Sequence, residues 1–378
     1  MNYRIPFNRP CFAGAEQQHI IEALASGKIS GDGLFSRKCH ELLERELGAA
    51  KVLLTTSCTH ALEMAALLLR LEPGQEVVVP SFTFVSSVNA FILRGARPVF
   101  ADIRPDTLNL DENALEGLLT PATKAVVAVH YAGVGCEMDR ILELTAPIGA
   151  ALVEDNAHGL FGSYKGRPLG SFGALATQSF HETKNFTCGE GGALVVNDPE
   201  LAARAEIIRE KGTNRSSFFR GEVDKYTWVD LGSSYLPSEV LAAFLYAQLE
   251  QRERIQAKRR AIWERYRDGL AGWADSSGVR LPVVPEHCGQ SYHMFHMLMP
   301  SLESRQRIIA ELKAKSILAV FHYVPLHLSP MGRGFGGRPG QCPVAEDLSD
   351  RLLRLPFYND LDEASQDEVI EAVASFTP

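Results

Sequence analysis

The stretch ALATQSFHETKNFTCGEGGALVV, residues 174–196, decides the fold. Its two ends, residues 174–180 and 193–196, are short strand-like runs. The polar loop between them carries Lys184. A lysine in such a loop can be held partly out of water, which lowers its pKa and frees the amine to attack a carbonyl. The stretch therefore predicts a reactive amine at the edge of a sheet.

On the N-terminal side of this stretch, strand-like and helix-like segments alternate. Five more short apolar runs predict strands at residues 52–54, 76–79, 98–101, 125–130 and 151–154, with segments of helical period between them. Alternation at this spacing predicts right-handed crossovers and a mostly parallel sheet, which is an α/β fold. Ligands of such sheets bind where strands end and helices begin.

The C-terminal third of the chain reads differently. A long helix from Ser238 to about Leu270 is expected to link a large domain, residues 1–250 with an N-terminal arm, to a smaller α+β domain, residues 251–378. Before this helix, residues 213–235 form a long loop that contains arginines and aromatic residues. Loops of this length are commonly functional or bound to a partner.

The composition excludes several classes of protein. With a net charge of −8 and 46% hydrophobic residues, the chain is unlike a nucleic-acid binder or a basic membrane-surface protein. Its 7 cysteines are scattered without a CxxC pair, which favours reduced thiols over disulfides or a zinc site. The first ten residues, MNYRIPFNRP, are polar and contain two prolines, so we expect no signal peptide, and no apolar run approaches about 18 residues. We expect a cytoplasmic protein without a metal.

A helix begins directly after the first strand, at Ser57, Cys58 and Thr59. Free N–H groups and the helix dipole at such a position bind phosphate, and the hydroxyl groups add donors. The same residues would equally suit an ordinary helix N-cap.

Two other strand ends carry polar or aromatic candidates. Asp155 could pair with a protonated ring nitrogen or simply cap a helix. His158 could contact the same ring or be a structural histidine. Phe84 is a better candidate than Phe82 to stack on a flat ring, although core packing would also explain an aromatic residue here.

Together these strand ends supply a phosphate cradle, a ring face, a partner for a ring nitrogen and a lysine. Pyridoxal phosphate (PLP) requires this combination, with the lysine as its Schiff-base partner. The sequence therefore predicts a PLP site.

Longer runs of sequence resemble the DegT/StrS family of sugar aminotransferases over essentially the whole chain. The runs that carry the resemblance are PSFTFVS (residues 80–86), VHYAG (129–133), EDNAH (154–158), SFHETKN (179–185) and EGG (190–192), together with REKGTNR (209–215), VDKYTW (223–228) and FHYVPLH (321–327). These enzymes have the PLP-dependent transferase fold of type I and act on nucleotide-linked keto sugars. The resemblance implies that fold, with a mostly parallel central sheet and a smaller α+β C-terminal domain.

The resemblance also assigns roles to individual residues. It implies that Lys184 is the catalytic Schiff-base lysine and that Asp155 pairs with the pyridine nitrogen. The other cofactor contacts that it implies are Ser57, Cys58, Thr59 and Ser179 at the phosphate and Phe84 and His158 at the ring. The substrate-binding candidates are Gly31, Tyr131, Arg215, Arg220, Lys225, His322 and His327. For the arginines and Lys225 a solvated basic loop, and for Gly31 an ordinary turn, are the alternatives.

Within the family, the last three runs are similar to enzymes that aminate dTDP-4-keto-6-deoxy-D-glucose at C4. The expected reaction uses L-glutamate and gives dTDP-4-amino-4,6-dideoxy-D-galactose and 2-oxoglutarate, in a homodimer with shared active sites. The gluco epimer, a PLP-dependent sugar dehydratase and a non-catalytic regulator are the alternatives. Lys184 argues against the dehydratase, and the intact set of Lys184, Asp155 and Ser179 argues against the regulator. Related enzymes often place an asparagine from the 213–235 loop on the partner's phosphate, whereas the matching residue here is Leu236. Ser233 or Ser234 could replace it.

Overall fold

The computed structural model describes residues 3–378, which form fourteen α-helices and twelve strands. The helices are α1 (Glu16–Ala25), α2 (Leu34–Leu47), α3 (Cys58–Leu68), α4 (Ser86–Ile92), α5 (Glu112–Leu115), α6 (Met138–Thr145), α7 (Ala202–Arg209), α8 (Arg215–Phe219), α9 (Glu239–Glu250), α10 (Arg252–Ser277), α11 (Leu302–Ala314), α12 (Pro330–Gly334), α13 (Pro343–Arg351) and α14 (Glu363–Ala374). The strands are β1 (Lys51–Thr55), β2 (Glu76–Pro80), β3 (Arg97–Ala101), β4 (Thr123–Val129), β5 (Ala151–Asp155), β6 (Ser163–Tyr164), β7 (Arg167–Pro168), β8 (Leu175–Ser179), β9 (Gly192–Val196), β10 (Cys288–Gly289), β11 (His296–Leu298) and β12 (Leu352–Arg354).

A seven-stranded sheet in the order β1-β9-β8-β5-β4-β2-β3 forms the centre of the molecule. Strand β9 runs antiparallel to both of its neighbours, β1 and β8, and the other pairs in the sheet are parallel. The predicted α/β class with a mostly parallel sheet is therefore confirmed. The lysine loop joins β8 to β9, so it lies where the chain reverses direction within the sheet.

Both faces of this sheet are buried, as the apolar character of its strands requires. Along β1, Leu53 faces a core that includes residues of α3, whereas Val52 and Leu54 face a second core that includes residues of α2 and α9. This alternation fixes the register of the strand, because a shift by one residue would exchange the two faces. Strand ends therefore hold their side chains in fixed positions.

A separate core forms around the two-stranded sheet of β11 and β12. It contains Tyr266, Phe295, Leu353 and Val369, all less than 1% exposed, from α10, β12, α14 and the residue preceding β11. Ile5 of the N-terminal arm belongs to the same core. A domain boundary near residue 250 stays a prediction.

The single long helix predicted from Ser238 is wrong. Helix α9 ends at Glu250, and α10 begins at Arg252, because Gln251 has a ψ angle of 16° that is not helical. The break separates two packing partners: α9 packs on α1 and α2, whereas α10 packs on α14. The helical period of the sequence continues across residue 251, so the sequence alone does not reveal the break between the two helices. Within residues 3–378, none of the helices combines the length and the apolar character needed to cross a membrane.

Candidate active site

A cavity of about 870 Å³ lies at the C-terminal ends of the parallel strands. Its wall includes Asp155 at the end of β5, Ser179 at the end of β8 and Lys184 in the loop that follows. Residues from the second sheet and its neighbours, among them His322 and Arg354, complete the wall. The cavity therefore brings together the strand ends that were predicted from the sequence to carry the site and residues that lie much further along the chain.

Lys184 sits in a loop that is held by its own backbone hydrogen bonds. The Lys184 N–H donates to the carbonyl of His181 over 2.9 Å, and the Glu182 N–H donates to the carbonyl of Gly189 over 2.9 Å. Loss of water around the amine lowers the pKa of Lys184 below its ordinary value of 10.5, against the opposing effects of Cys58 and Asp155. The amine makes no ion pair within the described part of the chain. It is therefore placed to react as a nucleophile.

Asp155 is 6% exposed and is held from two sides. The Ser87 hydroxyl donates to Oδ2 over 2.6 Å, and the Ala157 N–H donates to Oδ1 over 3.2 Å. Ser87 in turn pairs with Thr83 over 2.9 Å. These contacts orient the carboxylate and satisfy part of its hydrogen-bonding capacity, leaving acceptor positions for a cationic ring N–H.

The start of α3 forms the proposed phosphate cradle. Ser57 is the N-cap, and its hydroxyl accepts from the His60 N–H over 3.1 Å, so the ordinary capping role is present. Ser57, Cys58 and Thr59 also line the cavity. Gly192 passes so close that a Cβ there would lie 2.4 Å from the Cys58 nitrogen. The start of β9 thus lies directly against the cradle because residue 192 is a glycine.

Aromatic side chains form two other parts of the wall. Phe84 lines the cavity and is 55% exposed, whereas Phe82 is 1% exposed and packs in the core beside Tyr131. His158 stacks on His293 with ring centroids 4.2 Å apart. Burial lowers the pKa of His158 well below its ordinary range, so the ring is neutral. Its buried Nδ1 has no hydrogen-bond partner among residues 3–378, and a polar ligand atom could supply one.

The predicted substrate residues divide into three groups. His322 lines the cavity, and its Nδ1 is 2.7 Å from the hydroxyl of Tyr131, which lies behind the wall. His327 is fully buried away from the cavity, with Ser81 at one ring nitrogen and Glu346 at the other. The remaining candidates, Gly31, Arg215, Arg220 and Lys225, do not line this cavity. Those four stay predictions.

Sequence reasoning missed three residues of the site. Ser87 follows Phe84 by about one helical turn, so the helical period of residues 84–93 could have placed it towards Asp155. His293 and Arg354 lie far along the chain and carry no local signal. Only the folding of the second sheet against the first brings them to Lys184.

Fold and site together define an α/β enzyme with a reactive lysine, a buried carboxylate and a phosphate-type helix start around one cavity. The residues suit PLP: the unpaired Nδ1 of His158 is an orphaned buried atom, and the chemistry of Lys184 and Asp155 matches an aldehyde and a ring nitrogen.

Comparison with known proteins gives the family. The model of the DegT/DnrJ/EryC1/StrS aminotransferase family matches residues 10–374, and the chain belongs to this family. The spore coat polysaccharide biosynthesis protein SpsC of Bacillus subtilis is 32% identical over 98% of this chain and 97% of its own. The Spr1654 protein of Streptococcus pneumoniae, solved in a PMP form, superposes with a TM-score of 0.92 at 28% identity, covering 98% of both chains. DesV of S. venezuelae, solved with a ketimine intermediate, has a TM-score of 0.88 and 31% identity over 100% of both chains.

The protein is therefore a PLP-dependent sugar aminotransferase with the type I fold.

Proposed function

We propose that this enzyme transfers the amino group of L-glutamate to C4 of dTDP-4-keto-6-deoxy-D-glucose. The products are dTDP-4-amino-4,6-dideoxy-D-galactose and 2-oxoglutarate. The observation that carries the proposal is a single cavity of about 870 Å³ in which Lys184, Asp155 and the start of α3 converge. The runs at residues 209–215, 223–228 and 321–327 support the particular sugar, since they are similar to enzymes with that substrate.

The roles of the residues follow from their surroundings. PLP, when bound, supplies an electron sink for the carbon that loses its proton. Lys184 binds the cofactor, then takes the proton from the donor carbon as a base and returns it to the cofactor side as an acid. Asp155, fixed by Ser87 and the Ala157 N–H, keeps a proton on the ring nitrogen. Ser57, Cys58, Thr59 and Ser179 hold the phosphate.

Phe84 would stack on one face of the ring, with His158 near the other face or beside the ring oxygen. His158 is neutral, so it offers a hydrogen bond or a stacking face rather than an acid. Its contact with His293 fixes the plane of the imidazole. Both residues therefore restrict the tilt of the cofactor and leave the proton transfers to Lys184.

The proposal includes a cytoplasmic homodimer with shared active sites. Support comes from the 213–235 loop, where Phe219, Trp228 and Leu231 are 70%, 73% and 51% exposed. Large apolar side chains exposed together favour an interface with another chain. Arg215 and Lys225 on this loop would then reach the sugar diphosphate of the neighbouring subunit. The scattered cysteines suit a reducing compartment.

The decisive experiment is an NMR assignment of the product made from dTDP-4-keto-6-deoxy-D-glucose and L-glutamate. An axial amine at C4, the galacto configuration, is the expected result. An equatorial amine at C4 would show that the product is the gluco epimer and that the proposed galacto product is wrong. A product that has lost oxygen without gaining nitrogen would overturn transamination in favour of a dehydratase.

A further inference from the structure

The ring of His293 presents an unpaired nitrogen to the cavity. His293 lines the cavity wall, and its Nδ1 lies 2.9 Å from Oδ1 of Asn185. Its other ring nitrogen, Nε2, has no hydrogen-bond partner within residues 3–378 and is not completely enclosed by protein, unlike Nδ1 of His158. Because the ring borders the cavity, a ligand there can reach Nε2.

The side-chain amide of Asn185 decides which nitrogen of His293 carries the proton. Asn185 Nδ2 donates to the carbonyl of Ser291 over 2.7 Å, and a carbonyl oxygen can only accept. The amide oxygen of Asn185 therefore faces Nδ1 of His293, which must donate to it. A neutral imidazole carries a single N–H, so Nε2 keeps its lone pair and is an acceptor.

The imidazole of His293 keeps this form near neutral pH. Burial lowers the pKa of His293 well below the ordinary 6.5, and the neighbouring His158 and Lys184 lower it further. The ring is therefore neutral, and its Nε2 is available to accept a hydrogen bond.

His293 is also held rigidly. Arg259, which is 3% exposed, donates to the carbonyl of His293 over 2.6 Å and to that of Tyr292 over 2.9 Å. The His293 ring stacks on His158 with an angle of 16° between the two planes. The hydroxyl of Ser291 donates to the carbonyl of His158, which ties the same segment to the end of β5. An acceptor fixed in this way determines the position of the group that it binds.

We propose that Nε2 of His293 accepts a hydrogen bond from the C3 hydroxyl of the keto sugar. The inference rests on the proposed function and names a residue that positions one of its two substrates. The carboxylates of L-glutamate are acceptors, and its only donor, the amino group, is the group that reacts, so glutamate has no partner to offer. The C3 hydroxyl is a donor, and it is bonded to the carbon next to the reacting C4. Asn185 directly follows Lys184, so its partner His293 borders the part of the cavity where C4 must lie.

A sugar that lacks this hydroxyl tests the contact. With the PMP form of the wild-type enzyme, kcat/KM for the 3-deoxy analogue of dTDP-4-keto-6-deoxy-D-glucose should be about 5- to 150-fold below that for the parent sugar. This is the loss expected when one partner of a buried hydrogen bond is removed. His293→Phe keeps an aromatic ring beside His158 but has no acceptor, and it should lower kcat/KM for the parent sugar by a similar factor.

The two losses should not add when His293→Phe acts on the 3-deoxy analogue, because both changes remove the same hydrogen bond. Additive losses would overturn the proposal. His293→Gln should recover part of the loss for the parent sugar, since its side-chain oxygen can accept.

The reaction of the PLP form with L-glutamate distinguishes this role from a structural one. His293→Phe should change that reaction by less than about threefold, within the scatter of a neutral substitution. An equal loss in both half-reactions, or weaker uptake of PLP, would show that His293 acts on the cofactor or the fold and would overturn the assignment. His287→Phe is the matched control, because His287 packs on Tyr164 with ring centroids 5.2 Å apart and does not line the cavity. It should leave both half-reactions unchanged.

NMR of holoenzyme labelled with ¹⁵N-histidine separates this inference from the proposed function. The signals of His293, assigned by their loss in either His293 variant, should show a protonated Nδ1 and a bare Nε2. The Nε2 signal should shift when the PMP form binds dTDP-6-deoxy-D-glucose, an unreactive sugar with the same C3 hydroxyl. If it shifts but dTDP-4-keto-6-deoxy-D-glucose is not aminated, the reaction in the proposed function is wrong and the hydroxyl site stands. A proton on Nε2, or an Nε2 signal unchanged by the bound sugar, would overturn the site.

Discussion

At the scale of single residues, the orientation of the Asp155 carboxylate depends on hydrogen bonds from neighbouring side chains, which its place in the sequence does not reveal. The hydroxyls of Thr83 and Ser87 form a short chain that ends on Oδ2, and all three residues are buried. In such surroundings a hydrogen bond to a charged carboxylate is stronger than in water. In the proposed function, Ser87 would therefore act on the ring nitrogen through Asp155, as a positioning residue.

Replacing Ser87 by alanine should slow turnover while leaving the cofactor bound. One of the two protein hydrogen bonds to Asp155 disappears, and bonds of this kind to charged groups contribute about 1.5–3 kcal/mol, so a loss of about 10- to 150-fold in kcat is expected. Ser349→Ala removes a serine whose hydroxyl donates to a backbone carbonyl over 2.9 Å, outside the cavity, and should have no effect on kcat. Steady-state kinetics and the visible absorbance of the bound cofactor measure both effects. A Ser87→Ala enzyme with the parent kcat would remove Ser87 from the site.

The amine of Lys184 should react with PLP at lower pH than an ordinary lysine. Only the neutral amine is nucleophilic, and desolvation lowers its pKa below 10.5, so the neutral fraction rises earlier as pH increases. The rate of PLP uptake by the apoenzyme, followed by absorbance, should reach half of its maximum below the pH found for Nα-acetyl-lysine. Coincident profiles for the enzyme and Nα-acetyl-lysine would contradict this. Lys184→Ala should take up no covalently bound PLP.

At the scale of elements, the sequence predicts most strands and helices but not their spatial order. Apolar runs mark β1 to β5, because a strand covered on both faces must be apolar throughout. The position of β9 between β1 and β8 has no such signal, since it depends on which backbone edges meet. The short strands β6, β7 and β10 were missed for a related reason: two residues carry no period.

The N-terminus of helix α2 is capped by a side chain from another helix, α9. Its N-terminus begins after Gly33, which supplies no side-chain cap, and Glu239 of α9 takes that role. The Glu239 carboxylate accepts from the N–H groups of Gly33, Phe35 and Ser36 over 2.9, 2.8 and 3.1 Å. Glu239 is 2% exposed, so water does not reach these N–H groups and cannot take the place of the carboxylate.

Glu239→Ala should therefore lower stability by about 2–4 kcal/mol, the sum expected for a lost cap and unsatisfied buried donors. The expected sign is a lower midpoint in thermal unfolding of the apoenzyme. Glu253→Ala is the control, because the side chain of Glu253 is 91% exposed and, within residues 3–378, pairs only with Arg252 at 3.9 Å. Equal midpoints for the two variants would show that α2 does not need this cap.

At the scale of the whole molecule, the site has one half that the sequence predicts and one half that it does not. Lys184, Asp155 and the start of α3 follow strands of one parallel sheet, and such strand ends meet at one edge. Arg354 and His293 come from segments more than 100 residues further along the chain. Their approach to the cavity depends on how the core around β11 and β12 packs, and no local pattern encodes that packing.

The same packing places buried histidines around the cavity, and they contribute to the loss of stability in acid. Burial lowers the pKa of His158, His293 and His322 well below the ordinary 6.5, and that of His296 to about 4. Each ring stays neutral in the folded protein but takes up a proton on unfolding below about pH 6.5. Stability is then constant above this pH and falls as the pH drops.

Thermal unfolding of the apoenzyme should therefore show a midpoint that falls steeply between about pH 6.5 and about pH 5, since each such histidine contributes about 1.4 kcal/mol per pH unit. His296→Gln should make the fall shallower by the contribution of one proton. Bound PLP should raise the midpoint at every pH, since it binds only the folded state. A midpoint independent of pH over this range would mean that these four rings are already protonated, or equally accessible to protons, in the folded protein.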